Sequence, residues 1–400
     1  MSRLSVAVIV TRLQAGAGGV ALRGALALDP LRYAATIIAG DCGGSDSDGS
    51  GDSMLVSARN AGLSVIGVPG LVSEISPAND ARALRLITGL LADGGYDVVH
   101  THSAKAGALG RLAAERTRTP RVVHTFHGFP FHEFQSSPRR AVYVGIERYL
   151  GRRTDCFLAV GGSVAAEAIR RGIAASERVR VISPAIDFPD VPVSPATRNA
   201  ARRRLGIPVG CKAVGTVGRV DYQKAPECFV DAIAGLGRPD VYAVWIGDGP
   251  GRSEMEKLAR RRGLQGRFTC TGHRDDVPDL LPGLDVFAMA SRYEGLPCAV
   301  AEAMTAGVPV VATAVNAVPD VVLPGETGLL ACPQRPRQLA AAIAYMLDEP
   351  GEAARMAAAA YRLIAGRFTP QSLAAVLDAA YAGPDSSPVR PIPRAVPRPA

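Results

Sequence analysis

Residues 286–313, VFAMASRYEGLPCAVAEAMTAGVPVVAT, form the stretch of sequence that decides the fold class. The stretch contains an apolar run at Val286–Met289, a helical segment at Ala299–Ala306 and a second apolar run at Val308–Ala312. Both runs are nearly continuous and lack polar alternation, which predicts parallel strands covered by helices on both faces. A strand–helix–strand unit of this kind is the repeating element of an α/β protein.

The same alternation extends outward from this unit over most of the chain. Apolar runs recur at Val6–Val10 and Cys156–Val160 in the first half, and at Ala213–Val217 and Val241–Ile246 in the second. The pattern stops at Ser183–Asn199, a polar, helix-poor stretch with four prolines that we interpret as a linker, and then restarts. We therefore predict two Rossmann-like, doubly wound domains that face a central cleft, where open parallel sheets bind their ligands.

The predicted domain limits follow from this interruption. The first domain takes residues 1–190, and the second takes residues 200–365. Residues 366–383 are expected to form a C-terminal helix that crosses back to the first domain. The Pro- and Arg-rich residues 384–400 have the composition of a disordered tail.

Composition excludes several classes of protein. The chain has 400 residues, is 48% hydrophobic and 20% charged, and its net charge of +8 is carried mostly by arginine. This basic excess suits phosphates, phospholipid headgroups and nucleic acids alike. The seven cysteines contain no CxxC spacing, which argues against a disulfide scaffold or a zinc ribbon. The first apolar run, Val6–Val10, is too short for a signal peptide or a membrane span, so we expect a cytoplasmic protein. The high arginine content suggests that the protein comes from a bacterium with a GC-rich genome.

Two glutamates in the opening stretch point to a ligand with hydroxyl groups. Glu294 follows an apolar strand, and Glu302 comes eight positions later in a helix that is otherwise almost free of polar side chains. Carboxylates accept paired hydrogen bonds from vicinal hydroxyls, so sugar and ribose are natural targets. The start of that helix, with backbone N–H groups at Leu296 and Cys298, is suited to a diphosphate. Solvated surface charges are the alternative interpretation of both glutamates.

Two cations and a glycine turn lie at the ends of other predicted strands. Gly218, Arg219 and Lys224 follow an apolar strand, where two positive charges would stabilise a leaving diphosphate. Gly16-Ala-Gly18-Gly19 joins the first strand to its helix and lets backbone approach a phosphate or sugar. This turn is not a full GxGxxG motif, and Asp41 is a weak candidate for the acidic residue of a dinucleotide site. Asp46-Ser-Asp48 resembles a metal-binding DxD, but its Gly/Ser-rich surroundings favour a solvated loop.

Five of the six histidines fall within a short region at the ends of two neighbouring predicted strands. They are His100, His102, His124, His127 and His132. A metal cluster needs partners that this region lacks, because no cysteine accompanies the histidines and the first acidic residue in the loops that follow the two strands is Glu133. We predict that these histidines bind no metal ion. We expect His100 and His124 to be buried with satisfied hydrogen bonds, and a histidine on the loop Phe126–Phe134 to face the cleft.

Taken together, these segments resemble the family-4 retaining glycosyltransferases of the GT-B fold, from about residue 4 to about residue 382. The most specific segments are the Glu294–Glu302 block, GRVDYQKAP (218–226), WIGDGP (245–250), TGHRDDVPDLLPGLDVF (271–287), VVHTHSAKAGALGRLAA (98–114) and HTFHGFPFH (124–132). The resemblance implies a hexosyltransferase that holds a UDP- or GDP-sugar substrate in the second domain and meets its acceptor in the first. It implies no cofactor, no metal and no nucleic-acid partner.

The resemblance also implies roles for particular residues. Glu294 would contact the donor hexose, Glu302 the ribose hydroxyls, and Arg219 and Lys224 the diphosphate, while Gly272–Asp276 would line the base. The implied catalytic residues are His127, Arg219, Lys224 and Glu294. The implied donor-binding residues are Gly18, Gly19, Gly218, Arg219, Lys224, Gly247, Arg274, Glu294, Gly295, Leu296 and Glu302. The implied acceptor-side residues are His102, Lys105 and His127.

Two departures from the family pattern lie outside the donor site. Ala21 stands where the family often has Glu or Gln, so an acceptor contact is in doubt, and Pro184-Ala185 replaces the usual Asn-Gly. The resemblance suggests front-face substitution, in which the leaving diphosphate accepts the acceptor's proton, with covalent double displacement as the rival. A nucleotide-sugar epimerase, a His-cluster metallohydrolase and a non-catalytic binding module are the competing functions.

The acceptor is expected to be a glycan, a lipid-linked sugar or a small molecule, in cell-surface polysaccharide, glycolipid or secondary-metabolite synthesis. A basic amphipathic segment at Arg139–Arg153 carries five arginines together with Val142, Val144, Ile146 and Leu150. Such a helix could dock on anionic lipid at the inner face of the cell membrane. A solvated basic face is the alternative interpretation.

Overall fold

The computed structural model describes residues 3–13, 16–40, 50–188 and 193–383, and the side chains of 50–53 are not described. The predicted tail at 384–400, Asp41 and the Asp46-Ser-Asp48 motif lie outside these residues. Within them, no helix is both long and apolar enough to cross a bilayer.

The first domain contains a seven-stranded parallel sheet with the strand order β3-β2-β1-β4-β5-β6-β7. Its strands are β1 (Leu4–Val10), β2 (Tyr33–Ala39), β3 (Ser64–Gly67), β4 (Val98–His102), β5 (Arg121–Phe126), β6 (Cys156–Ala159) and β7 (Val179–Val181). Its helices are α1 (Ala17–Ala27), α2 (Ser50–Asn60), α3 (Pro77–Gly94), α4 (Ala104–Thr117), α5 (Ser137–Gly151) and α6 (Gly162–Arg170). The chain order reverses between β1 and β4, and this reversal opens a crevice at the carboxyl ends of these strands.

The second domain repeats this design with a six-stranded parallel sheet in the order β10-β9-β8-β11-β12-β13. Its strands are β8 (Lys212–Val217), β9 (Val241–Ile246), β10 (Phe268–Cys270), β11 (Val286–Met289), β12 (Val310–Thr313) and β13 (Leu329–Ala331). The helices from the linker onward are α7 (Pro195–Arg204), α8 (Pro226–Gly235), α9 (Arg252–Arg261), α10 (Val277–Leu280), α11 (Cys298–Thr305), α12 (Pro336–Asp348), α13 (Pro350–Arg367) and α14 (Pro370–Ala382). The corresponding reversal lies between β8 and β11. The predicted fold class, two Rossmann-like α/β domains, is confirmed.

The strands form where the sequence is apolar on both faces, because helices cover both sides of each sheet. All six residues of β9 and all four of β11 are buried. Burial of a large apolar side chain contributes about 1.5–3 kcal/mol relative to exposure, so these central strands anchor the second domain. They hold the loops at their carboxyl ends in fixed positions.

The segment predicted as a linker is partly helical, which corrects the interpretation of Ser183–Asn199 as helix-poor. Helix α7 begins inside it at Pro195, and Ser194 caps the helix by accepting from the backbone N–H of Thr197 at 3.2 Å. Arg198 and Arg202 of this helix both pair with Asp285, at 2.8 and 3.1 Å. The helix is held by charge pairs rather than by an apolar stripe, so hydrophobic periodicity could not reveal it.

Helix α14 returns from the second domain and packs on the first. Tyr381 is buried, and its hydroxyl lies 2.8 Å from Nδ1 of His100. The Arg121 guanidinium donates to the Ala380 carbonyl at 3.0 Å, and Leu377 packs beside Gly24 of α1. The last described helix therefore contributes to the core of the domain that begins the chain.

Direct contacts join the facing loops of the two domains. A Cβ added to Gly295 would lie 1.5 Å from the carbonyl oxygen of His127, so only glycine permits this approach. The rings of His132 and Tyr293 stack with centroids 4.1 Å apart. Asp320 of the second domain accepts from the Ser163 hydroxyl at 3.2 Å, at the start of α6. These contacts bring the two carboxyl-end surfaces together.

Candidate active site

Two glycines bring the loops after β8 and β9 into close contact. Gly218 and Gly247 have φ angles of 152° and 140°, which disfavour any residue with a side chain. A Cβ on Gly247 would lie 2.2 Å from the carbonyl oxygen of Gly218, and the indole N–H of Trp245 donates to that same oxygen at 2.8 Å. The loops therefore leave bare backbone beside the point where the strand order reverses.

Glu294 lies on the loop after β11, with its carboxylate fixed by three side chains. It is 7% exposed. Lys224 approaches one carboxylate oxygen at 2.6 Å, the Ser291 hydroxyl donates to that oxygen at 2.7 Å, and the Gln223 amide donates to the other at 3.1 Å. The backbone N–H of Glu294 donates to the side-chain oxygen of Asn316 at 3.1 Å. The predicted carboxylate and cation are thus in direct contact, and protein side chains fix the carboxylate.

The loop after β8 supplies two cations of different exposure. Lys224 is largely covered, with a side chain 19% exposed, whereas the Arg219 side chain is 67% exposed. Asp221 organises both, because its oxygens pair with the Arg219 guanidinium at 2.8 Å and accept the backbone N–H of Lys224 at 3.1 Å. Each cation keeps N–H donors that no group among the described residues uses, so both can still bind an anion.

Glu302 lies on α11, a helix whose N-terminal turn has no side-chain cap at Pro297. Burial raises the pKa of Glu302, Arg23 lowers it and Asp187 raises it further. Arg23 is on α1 of the first domain and pairs with Asp187 at 3.0 Å. Burial also raises the pKa of the Cys298 thiol to about 11, so this cysteine is neutral. The second glutamate therefore lies within the electrostatic influence of the facing domain.

The remaining predicted donor residues lie at the contact between the domains (Leu296) and at the start of α1 (Gly18 and Gly19). Leu296 packs against the cores of both domains. Gly18 and Gly19 are buried at the start of α1, where a Cβ on Gly18 would lie 2.6 Å from the Arg12 carbonyl. Close packing within the first domain is therefore what requires glycine at position 18.

The predicted base-lining segment adjoins the glycine loops. Gly272 forms an isolated antiparallel bridge with Gly247. Arg274, which the resemblance assigns to the donor site, pairs with Asp276, and Nε of Arg274 lies 2.6 Å from that carboxylate. Arg204 of α7 pairs with the same aspartate. The Arg274 side chain is therefore engaged by protein in the ligand-free site.

The predicted acceptor-side residues separate into one that reaches the cleft and two that are engaged elsewhere. His127 is partly exposed and contacts Gly295, beside Glu294. His102 is only 3% exposed and forms a hydrogen bond with His127, so its ring is covered by protein. Lys105 is tied to the carboxylate of Asp80 and the carbonyl of Glu74, both at 2.5 Å.

His100 and His124 are buried with satisfied hydrogen bonds, as the sequence predicts. The ring nitrogens of His100 lie 2.8 Å from the Tyr381 hydroxyl and 2.7 Å from that of Thr125. Nδ1 of His124 lies 2.8 Å from the Thr101 hydroxyl. Across the described part of the chain, no three His, Cys, Asp or Glu side chains are arranged to hold a metal ion.

Sequence reasoning missed the side chains that hold Glu294 in place. Ser291 and Gln223 lie inside the motifs already singled out, but nothing in their spacing predicts a contact with Glu294. Asn316 has a positive φ of 44° and lies in a loop that carried no recognised motif. The Arg23–Asp187 pair was also missed, since its members are 164 residues apart.

Two Rossmann-like domains whose carboxyl-end loops meet across a cleft, with a carboxylate–lysine pair at one strand reversal, have the architecture of a GT-B glycosyltransferase. Family models match both halves of the chain: "Glycosyltransferase Family 4" over residues 15–188 and "Glycosyl transferases group 1" over residues 197–363. The chain belongs to the family-4 glycosyltransferases and is a glycosyltransferase.

Curated relatives agree with this family, and a solved structure shares the fold. The D-inositol 3-phosphate glycosyltransferase of Xylanimonas cellulosilytica is 32% identical over 341 residues, 79% of this chain and 81% of that protein. An Escherichia coli enzyme, UDP-Gal:alpha-D-GlcNAc-diphosphoundecaprenol alpha-1,3-galactosyltransferase, is 30% identical over 62% of this chain and 66% of its own length. The crystal structure of Anabaena HepE in complex with UDP-glucose aligns with a TM-score of 0.80, at 21% identity over 95% of this chain and 100% of HepE.

Proposed function

We propose that this protein transfers a hexose, with retention of configuration, from a nucleoside diphosphate sugar to a hydroxyl group of its acceptor. The carrying observation is the buried Glu294 carboxylate, fixed by Lys224 at 2.6 Å at the reversal point of the second sheet. UDP is the nucleotide we expect, with GDP as the alternative, because one relative is named for UDP-Gal and a similar structure is a complex with UDP-glucose.

The diphosphate is expected to bind between the cations and the start of α11. Arg219 and Lys224 offer unused N–H donors, and charge-assisted hydrogen bonds to phosphate are among the strongest that proteins make. The uncapped N-terminal turn of α11 adds backbone N–H groups and the positive end of the helix dipole. These groups supply the positive charge that a diphosphate needs as the glycosyl bond breaks, so we propose that transfer requires no metal ion.

The two glutamates are expected to bind the two rings of the donor. Glu294, next to Gly295 at the domain contact, is positioned to accept hydrogen bonds from the hexose hydroxyls. Glu302, farther along α11, would accept those of the ribose. Three side-chain donors already engage the Glu294 carboxylate, which supports an orienting role rather than a nucleophilic one.

Front-face substitution is the mechanism that these contacts favour. The acceptor hydroxyl would attack from the side of the leaving diphosphate, and the leaving oxygen would take its proton while Arg219 and Lys224 stabilise the charge. The rival mechanism, double displacement, needs a carboxylate that is free to attack the anomeric carbon, whereas the Glu294 carboxylate is bonded to three side chains. Trapping of a covalent glycosyl-enzyme would favour the rival.

The acceptor is proposed to be a glycan, a lipid-linked sugar or a small molecule, met by the first domain. The exposed side of α5 supports contact with a membrane, because Val142 and Ile146 are 62% and 45% exposed. Val144 and Leu150 of the same helix are buried, so the docking face is narrower than the sequence suggested. Arg139 and Arg140 at the start of the helix would meet anionic headgroups. We propose a cytoplasmic protein at the inner membrane face, since all six described cysteines are free thiols.

The experiment that tests this proposal begins with a thermal-shift screen against UDP-, GDP- and dTDP-sugars. The stabilising donor is then incubated with candidate acceptors in excess chelator, and the anomeric configuration of the product is read by NMR. We expect a UDP-sugar to stabilise the protein. We also expect a product whose new glycosidic bond is axial to form in the absence of a metal ion. Donor consumption without an acceptor product would indicate an epimerase, and loss of transfer that Mn²⁺ restores would contradict the metal-free proposal.

A further inference from the structure

A hydrogen bond between two imidazole rings lies beneath the cleft. Nδ1 of His102 and Nε2 of His127 are 2.8 Å apart, and the ring centroids are 5.1 Å apart. His102 is 3% exposed, and its other nitrogen, Nε2, is buried without a partner among the described residues. His127, by contrast, reaches the surface where the two domains meet.

Both rings are neutral, which restricts where their protons can lie. Burial lowers the pKa of His127 to about 4 and holds the pKa of His102 well below its ordinary value. A neutral imidazole carries one N–H and one bare nitrogen. The bond between the rings therefore contains a single proton, donated either by His102 or by His127.

The two arrangements differ in what they leave buried. If His127 donated, the proton of His102 would lie on Nε2, where no described group accepts it, and an unpaired buried N–H is rare and costly. If His102 donates from Nδ1, its Nε2 is bare and no buried donor is unpaired. The cavity beside His102 measures about 10 Å³, near the lower limit for one water, and its lining is mostly apolar. Donation by His102 is therefore the arrangement of lower energy.

We propose that His102 is a positioning residue that donates from Nδ1 to His127 and so holds His127 in the tautomer protonated at Nδ1. His127 then presents an N–H to the cleft, as a donor to an oxygen of the transferred hexose, and it does not act as a base. The contact between the His127 carbonyl and Gly295 holds the backbone, so the tautomer decides what the ring offers. The assignment of the tautomer does not depend on the proposed function, whereas the contact with the hexose rests on it.

The tautomer is tested by ¹⁵N NMR on the full ligand-free chain with labelled histidine. The His127 signals are assigned as those lost in His127→Asn. We expect a protonated, pyrrole-type shift for Nδ1 of His127 and a bare, pyridine-type shift for Nε2. The reverse pattern, or averaging between the two tautomers, would overturn the proposal whether or not the protein transfers sugar.

The positioning role is tested by two substitutions of His102. His102→Asn keeps an N–H close to the position of Nδ1, so we expect kcat within about threefold of the native protein. His102→Leu removes one hydrogen bond, and kcat should fall about 5- to 30-fold with KM for the sugar donor unchanged. Equal kcat in the Leu variant, or equal losses in both folded variants, would refute the role. Absence of turnover with every donor would instead defeat the proposed function and leave the NMR result standing.

Discussion

Replacement of Glu294 by glutamine is the most informative single change, because it keeps the shape of the side chain and removes its charge. Hydrogen bonds to a charged group contribute about 1.5–3 kcal/mol each. If Glu294 accepts two from the hexose, loss of both costs about 3–6 kcal/mol of transition-state stabilisation. We therefore expect kcat/KM to fall about 100- to 20,000-fold.

The fold should survive this substitution. Lys224 loses an ionic partner but is 19% exposed and can be hydrated, while Ser291 and Gln223 retain an amide to bond. The expected loss is about 1–2 kcal/mol of unfolding free energy, or about 2–8 °C in the Tm of one domain. Glu254→Gln is the matched control, since Glu254 pairs with Lys257 at 2.7 Å on the exposed surface of α9.

Two assays separate hexose binding from nucleotide binding. Calorimetric titration should give a similar Kd for UDP in the native and Glu294→Gln proteins, while the variant loses affinity for the UDP-sugar identified by the thermal-shift screen. Initial rates with that donor and its acceptor give kcat/KM. The reasoning is refuted if Glu294→Gln transfers sugar within about threefold of the native rate.

Three further changes test the rest of the site and the membrane face. Lys224→Met should raise the Kd for UDP about 10- to 100-fold in calorimetry and leave any affinity for uridine unchanged, because only UDP carries phosphates. Glu302 has a raised pKa in the folded protein, so its contribution to stability is full below the pKa of the unfolded state and is lost as pH rises through the folded value. Glu302→Gln should remove that slope from the unfolding free energy measured as pH rises from about 4, near the ordinary pKa of glutamate. Val142→Ser combined with Ile146→Ser should reduce co-sedimentation with anionic vesicles, measured against neutral vesicles, whereas Val209→Ser, at another exposed valine, should not.

Each of these changes has an outcome that contradicts its premise. Lys257→Met is the control for Lys224→Met, and equal UDP affinity in both would remove Lys224 from the diphosphate site. An unchanged pH slope in Glu302→Gln would show that Glu302 is not the group that retains its proton on folding. Vesicle binding that does not depend on anionic lipid, or on the two apolar side chains, would exclude the proposed docking face.

The strands could be predicted from the sequence because their signal is local. Val241–Ile246 and Val286–Met289 have the predicted bounds, since a buried parallel strand needs apolar residues at every position. Helix α7 was missed because charge pairs and a capping box stabilise it in place of an apolar stripe. Strand β13, Leu329–Ala331, is too short for its pattern to be distinguished from a loop.

Sequence motifs predicted individual residues of the site but not the contacts between them. Glu294 and Lys224 were singled out as a carboxylate and a cation at strand ends, but their contact joins residues 70 positions apart. The roles of Gln223 and Asn316 depend on the same long-range packing. His102 alternates with His100 along β4, and nothing in the sequence distinguishes a buried supporting ring from one that meets a substrate.

The most direct test of the account is the crystal structure of this protein with the bound UDP-sugar. We expect the diphosphate oxygens within hydrogen-bond distance of Arg219 and Lys224, a hexose hydroxyl on Glu294 and the ribose on Glu302. A donor bound elsewhere, with these four side chains directed away from it, would contradict the central claim.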